Sequence, residues 1–179
     1  MIDLETMGIS NNAPIMSIGA CFFDPKTGEI GNTFHEQVNL ESANEYGATF
    51  DPSTIIWWMK QEDDARSKFY NNHEAQSIHE VLTIFNEFIT KTTNTRYVKP
   101  WGNGATFDLG ILSNAYYGKT PWMFYNERDV RTIVDLGQSI GFDPKRDMPF
   151  DGIKHDALAD AIHQAKYVSA IWQLLTGGA

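Results

Sequence analysis

Ile2-Asp3-Leu4-Glu5-Thr6-Met7-Gly8 opens the chain, and its pattern is that of a short strand running into a turn. Side chains alternate along a strand, so Asp3 and Glu5 leave one face about 7 Å apart while Leu4 enters the opposite layer. Two carboxylates therefore face one site. Hard oxygen ligands of this kind suit Mg²⁺ or Mn²⁺, which keep several waters and leave room for phosphate oxygens. An acid-x-acid strand also describes a solvated sheet edge, and these residues alone leave both readings open.

Working outward, Ile15–Phe23 and residues 30–38 are strand-like and flank Asp24-Pro25-Lys26-Thr27-Gly28, a turn cluster that reads as a hairpin. Helices follow. Asp51-Pro52 offers a cap and a first helical proline ahead of Ile55, Ile56, Trp58 and Met59. Ser77 with Glu80 forms a capping box before Ile78, Val81, Leu82, Phe85, Phe88 and Ile89, a stripe at helical spacing. A short strand is expected over 97–101, and Gly102-Asn103-Gly104 turns the chain into a helix over 108–117. Further helices are expected over 129–140 and 156–175, the last with Leu158, Ala161, Ile162, Ala165, Val168, Trp172 and Leu175 on one face. Strands first and crossovers later predict an α/β fold, a mixed sheet flanked by helices.

The 179 residues fit one domain, residues 1–179, with no repeat or linker. With 42% apolar and 13% aromatic residues the chain can bury a sizeable core. No apolar run reaches the roughly 18 to 20 residues of a membrane span, and the opening is acidic where a leader would be basic and apolar. A single cysteine, Cys21, excludes an internal disulfide and suits a reducing compartment, so a cytoplasmic protein is expected. Met1 precedes Asp3 by one residue, so the first strand reads as clipped against the usual five or six. The net charge is −9, with 5 Lys+Arg against 14 Asp+Glu in residues 1–94 and 9 against 9 in residues 95–179. That balance argues against holding long nucleic acid by phosphate neutralisation alone, and it directs any polyanion to the second half.

Two further motifs carry chemistry. Thr106-Phe107-Asp108-Leu109 sets an acid where turn passes into helix, either as a helix cap or as a third ligand. His155-Asp156-Ala157-Leu158-Ala159-Asp160 spaces a histidine and an acid five apart. On one helix that is about 140° of separation, so both reach one site only if the helix begins near Asp156 and His155 lies in the preceding loop.

At these motifs the sequence resembles the DEDDh branch of the DnaQ-like 3′-to-5′ exonucleases, which have the ribonuclease H-like fold. The Asp-x-Glu-Thr-x-Gly opening, Phe107-Asp108 and the His-x4-Asp near the C-terminus agree with that family in order and spacing. Ser53-Thr54-Ile55-Ile56-Trp57-Trp58 and residues 122–132 look like its phage exonuclease A, ribonuclease AS and ribonuclease T group. One departure is Gly104, four residues before Asp108, where many members have asparagine; Asn103 stands one place earlier. The resemblance implies a metal-dependent exonuclease that releases nucleoside 5′-monophosphates from free 3′ ends of single-stranded nucleic acid. DNA is slightly favoured and an exoribonuclease is the alternative.

It also implies the site. Asp3, Glu5, Asp108 and Asp160 would hold two Mg²⁺ or Mn²⁺, with Asp3 bridging, Glu5 and Asp160 completing the first ion and Asp108 acting on the second. His155 would be the general base, since an unperturbed imidazole is largely neutral at pH 7 to 8. Thr6, Met7, Phe107, Leu112 and Trp58 are candidate contacts for the terminal nucleotides, and Arg128 and Arg131, three apart at a helix start, for phosphate. Ribonucleases T and AS suggest a homodimer. Against this stand a fold that keeps nucleic-acid binding without catalysis, and an acidic interaction protein whose carboxylates are surface charge.

Overall fold

The computed structural model describes residues 1–177. Three strands open the chain, β1 (Ile2–Thr6), β2 (Ile15–Phe23) and β3 (Ile30–Gln37), and form an antiparallel sheet in that order. After a 3₁₀ segment at Leu40–Tyr46 come α1 (Pro52–Met59), α2 (Asp63–Arg66) and the 3₁₀ turns Ser67–Phe69 and Asn72–Glu74. Helix α3 (Ile78–Thr92) leads to β4 (Trp101–Gly102) and α4 (Ala105–Ala115). A 3₁₀ turn at Phe124–Asn126 precedes β5 (Arg128–Asp129), α5 (Val130–Ser139), α6 (Pro144–Asp147) and α7 (Ala157–Leu175). Strand β5 pairs parallel with β4, giving a second, two-stranded sheet.

The caps account for most helix starts. Asp51 accepts from Ser53 N ahead of Pro52, Ser77 and Glu80 form a reciprocal capping box, and Asp129 and Asp156 accept from Thr132 N and Ala159 N. Helix α4 differs from the expected 108–117. It starts at Ala105, because Gly104 adopts φ 97° and turns the chain three residues early. Asp108 therefore lies in the first turn and does not cap the helix. The strand expected over 97–101 is only Trp101–Gly102; Pro100 has no N–H to give a ladder. Strand β1 begins at Ile2 and runs five residues to Thr6.

Layers on both faces of the first sheet set the position of the acids. Ile2, Leu4, Ile18 and Ala20 pack on Val81, Phe85, Ile89, Leu109 and Leu112 of α3 and α4. The other face meets α7. Cys21, buried, joins Ala161, Ala165, Val168 and Ile171 there, with Trp101 and Val130. Gly19 pairs with Asp3 across β1 and β2, and a Cβ on Gly19 would lie 2.0 Å from the Ala157 carbonyl carbon. Only glycine lets the start of α7 rest directly on the strand beside Asp3.

Candidate active site

Alternation on β1 has the consequence expected of it: Leu4 is in the α3/α4 core, while Asp3 and Glu5 turn to the α7 side. Asp108 comes in from α4 and is 2% exposed. Its Oδ1 accepts from Leu4 N at 3.2 Å and its Oδ2 from Asn103 N at 2.9 Å. The side chain thus bridges β1 and the end of β4, so the seam between the two sheets is closed by a carboxylate. Asp160, in the first turn of α7, approaches from the third side. Ligand atoms of Glu5, His155 and Asp160 lie within 4.8 Å of one another. His155 sits in the loop before α7, at φ 62°, as the spacing to Asp160 requires.

Burial and crowding push these acids upward. Asp3 is raised well above the ordinary carboxylate range by burial, then by Asp108, Glu5 and Asp160, against a hydrogen bond from Gln164. Glu5 rises to about 8 through burial and the Asp160 charge, with Lys68 opposing. Burial takes Asp108 to about 7, opposed by the Leu4 and Asn103 N–H groups and by Arg131. Asp160 reaches about 6 through burial, and its Oδ2 is enclosed with no hydrogen-bond partner. Four carboxylates so placed repel one another when ionised, a cation offsets that repulsion, and the unpartnered buried oxygen of Asp160 has a lone pair to give one. The donor set therefore fits divalent metal.

The nucleotide contacts expected from the sequence separate. Thr6, Phe107, Trp57 and Trp58 line a cleft of about 430 Å³ with Glu5, Ser53 and Thr54. Within the Trp pair, Trp58 is 3% exposed and spends its Nε1–H on Thr6 O at 3.0 Å, so the open ring is that of Trp57. Met7 and Leu112 are not available to a ligand in this arrangement. Met7 packs with Met16, Trp58 and Ala65, and Leu112 is fully buried among α3 and α4 side chains. Nearness in sequence to the acids does not give them access. Arg128 is in β5, before α5 begins, so it and Arg131 do not share a helix face; Arg128 lines a different cleft, with Lys99 and Trp101. Arg131 has its guanidinium against Gly104 and is felt by Asp108.

Two side chains not singled out by the sequence reach the site. Gln164, 5% exposed on α7, donates from Nε2 to Asp3 Oδ1 at 2.7 Å. Lys68 donates from Nζ to the His155 carbonyl and stands 3.2 Å from Asp156 Oδ2. The helical spacing of Gln164 from Ala161 and Val168 of α7 could have placed it on the buried face, but nothing local marks Lys68.

Solved structures share this fold. The nuclease domain of 3′hExo, a DEDDh family member, bound to rAMP, aligns with a TM-score of 0.56 and 19% identity, over 98% of this chain and 90% of that one. A 3′-exonuclease whose structure concerns 3′-end recognition of a histone mRNA stem-loop aligns with a TM-score of 0.56 and 19% identity, covering 98% and 80%. The fold is thus the ribonuclease H-like one of DEDDh exonucleases. In sequence, an exodeoxyribonuclease of Enterobacteria phage T4 is 27% identical over 192 residues, 89% of this chain and 82% of that protein. The chain belongs to the Rv2179c-like 3′-5′ exoribonuclease domain family, whose model matches residues 1–172. It is accordingly a metal-dependent 3′-to-5′ exonuclease.

Proposed function

We propose that residues 1–179 form one exonuclease domain that trims single-stranded RNA from its 3′ end with Mg²⁺ or Mn²⁺, releasing nucleoside 5′-monophosphates. The observation that carries this is the convergence of Asp3 and Glu5 from β1, Asp108 from α4 and Asp160 from α7, close enough to raise the Asp3 pKa, with ligand atoms of Glu5, His155 and Asp160 within 4.8 Å of one another. The sequence tilted the sugar towards DNA; an exoribonuclease family model spanning residues 1–172 supports RNA instead. DNA remains the second reading, favoured by the T4 exodeoxyribonuclease likeness.

Asp3, Glu5, Asp108 and Asp160 would hold two divalent ions, which when bound neutralise phosphate charge, activate water and stabilise the leaving oxygen. His155 takes the proton from the attacking water at an imidazole nitrogen. Burial and the nearby Lys68 and Lys154 charges lower its pKa, so it is neutral near pH 7, as a base must be. The exposed Trp57 ring and the half-buried Phe107 offer stacking surface for the terminal base. Arg131 offers a cation to phosphate beside Asp108. Gln164 fixes the Asp3 carboxylate by its 2.7 Å hydrogen bond.

The site follows a free 3′ end in a reducing, cytoplasmic setting, consistent with a lone buried thiol, and acts within a homodimer that brings basic residues to the acidic half of the chain. Among the described residues no helix is long and apolar enough to cross a membrane. Incubation with 5′-labelled single-stranded RNA, single-stranded DNA and blunt duplex, each with Mg²⁺ or Mn²⁺, tests polarity and sugar together. Ladders that shorten from the 3′ end of RNA faster than DNA are expected. Faster DNA shortening transfers the proposal to DNA, and a 5′-to-3′ pattern rejects it. Light scattering at assay concentration tests the dimer, which a fully active species near 20.2 kDa would exclude.

A further inference from the structure

Lys68 belongs to the 3₁₀ turn Ser67–Phe69, 87 residues from the loop it touches. Its side chain is only 11% exposed, which is unusual for an ammonium without firm partners. The partners are two. Nζ donates to the backbone carbonyl of His155, and it pairs at 3.2 Å with Asp156 Oδ2. Asp156 in turn caps α7, its Oδ1 accepting from Ala159 N at 3.0 Å, and His35 Nε2 lies 3.7 Å from the same Oδ2 that Lys68 holds. So one cation grips both the residue that carries the imidazole and the residue that starts the helix bearing Asp160.

The grip falls where the backbone needs it. His155 is at φ 62°, the left-handed region that side-chain-bearing residues seldom adopt, and its two neighbours, Lys154 and Asp156, are not glycine. Hydrogen bonds of an ammonium to a carbonyl and a carboxylate are charge-assisted, and removing the cation would leave the half-buried Asp156 carboxylate short of a partner. The imidazole itself is braced on the other side by the Trp57 ring, edge-on at 4.8 Å. Lys68 and Trp57 thus enclose the His155 loop, one holding its backbone and the other its ring.

We propose that Lys68 is a positioning residue for the general base: it holds the His155 loop in the conformation that presents the imidazole to the acid cluster. This rests on the role of His155 given above. Two other uses of the same cation, contact with a substrate phosphate or simple support of the fold, would each leave a different mark. A phosphate contact is felt in KM and persists when His155 is gone. Support of the fold is felt in the melting temperature. A positioning role is felt in kcat and disappears with the imidazole it serves.

The test is a double-mutant cycle on the full chain with a 5′-labelled single-stranded oligonucleotide and saturating Mg²⁺. Lys68→Met should lower kcat by about tenfold or more, inside the roughly 10² to 10⁴-fold span of a general base, with KM little changed. Lys68→Arg, which keeps charge and donors, should recover most of it. In a His155→Ala background, Lys68→Met should cost less than about twofold. An undiminished cost in that background, or a raised KM with kcat unchanged, overturns the proposal. If circular dichroism shows Lys68→Met to be unfolded, Asp156→Asn takes its place in the same cycle, since asparagine still caps α7 while losing the charge that Lys68 pairs with. Inactive wild-type protein, or His155→Ala with full kcat, would instead reject the underlying function, so the two failures are distinguishable.

Discussion

Asp3, Glu5 and Asp108 stand on elements whose backbones are fixed on several sides, whereas His155 stands on a loop held by Lys68, by two tryptophan rings and by its own backbone N–H on Asp160. The β1 acids are locked by the ladder to β2, and the Asp108 carboxylate is itself part of the seam between the sheets. The His155 side has a positive φ and partial exposure. The difference follows from what each side must do. Like charges in a dry site repel and must be pinned before a cation arrives, while a proton acceptor has to remain open to water and substrate.

The largest expected effect is on the acids themselves, one from the pinned side and one from the first turn of α7. Asp3→Ala and Asp160→Ala should each abolish detectable hydrolysis at any metal concentration, with a far-ultraviolet spectrum like that of wild type. Removing one acid relieves repulsion in the metal-free protein, so its melting temperature should rise or hold. Turnover restored by titrating Mg²⁺ to saturation would show that these acids are not ligands.

Next comes the loop. His155→Ala should cost about 10² to 10⁴-fold in kcat and leave divalent-ion binding nearly unchanged by calorimetry. Ligand atoms of Glu5, His155 and Asp160 lie within 4.8 Å of one another, so the opposite outcome is meaningful: loss of a binding event would make His155 a ligand and erase the contrast between the two sides.

Gly19→Ala strikes the contact that joins them. The added methyl would meet the Ala157 backbone at 2.0 Å, so α7 must lift, carrying Asp160 and the His155 loop away from Asp3. Overpacking of this sort costs about 1 to 3 kcal/mol, and contact with backbone puts it at the upper end. A melting temperature and kcat both unchanged would mean that α7 does not rest on the strand at Gly19.

What could be read from the sequence was what is local. The caps at Asp51 and Ser77 and the period-two run at Asp3 and Glu5 declare themselves within a few residues, whereas the set of four acids and a loop histidine rests on the family resemblance of three separated motifs. Contacts made across the chain were silent. The Lys68 and Gln164 partners are 87 and 161 residues away, and no spacing rule reaches that far. Access was the other blind spot: Leu112 shares the face of Asp108, which is itself buried, and Met7 follows the register shift after Glu5 and packs with Met16 and Trp58, so both face the core.

The smallest effect is on stability against pH, and it reads the pinned side directly. Glu5 has a pKa near 8 when folded and 4.5 when unfolded, so between those values the folded chain keeps a proton that the unfolded chain has released. Such a group stabilises fully below about 4.5, and that stability is lost as pH rises through 8. Asp108 and Asp160, raised to about 7 and about 6, act in the same direction. His155 and the Met1 amino group, both lowered, run the opposite way, so the informative quantity is the difference from Glu5→Gln, which retains them. In chelator, the wild-type melting temperature should fall relative to Glu5→Gln as pH goes from 5 to about 8.5. Saturating Mg²⁺ should reverse the trend in wild type, because ligands must shed protons to bind and affinity therefore grows with pH. Parallel curves for the two proteins in chelator would mean that Glu5 titrates normally and that the acids on this side are better hydrated than their burial implies.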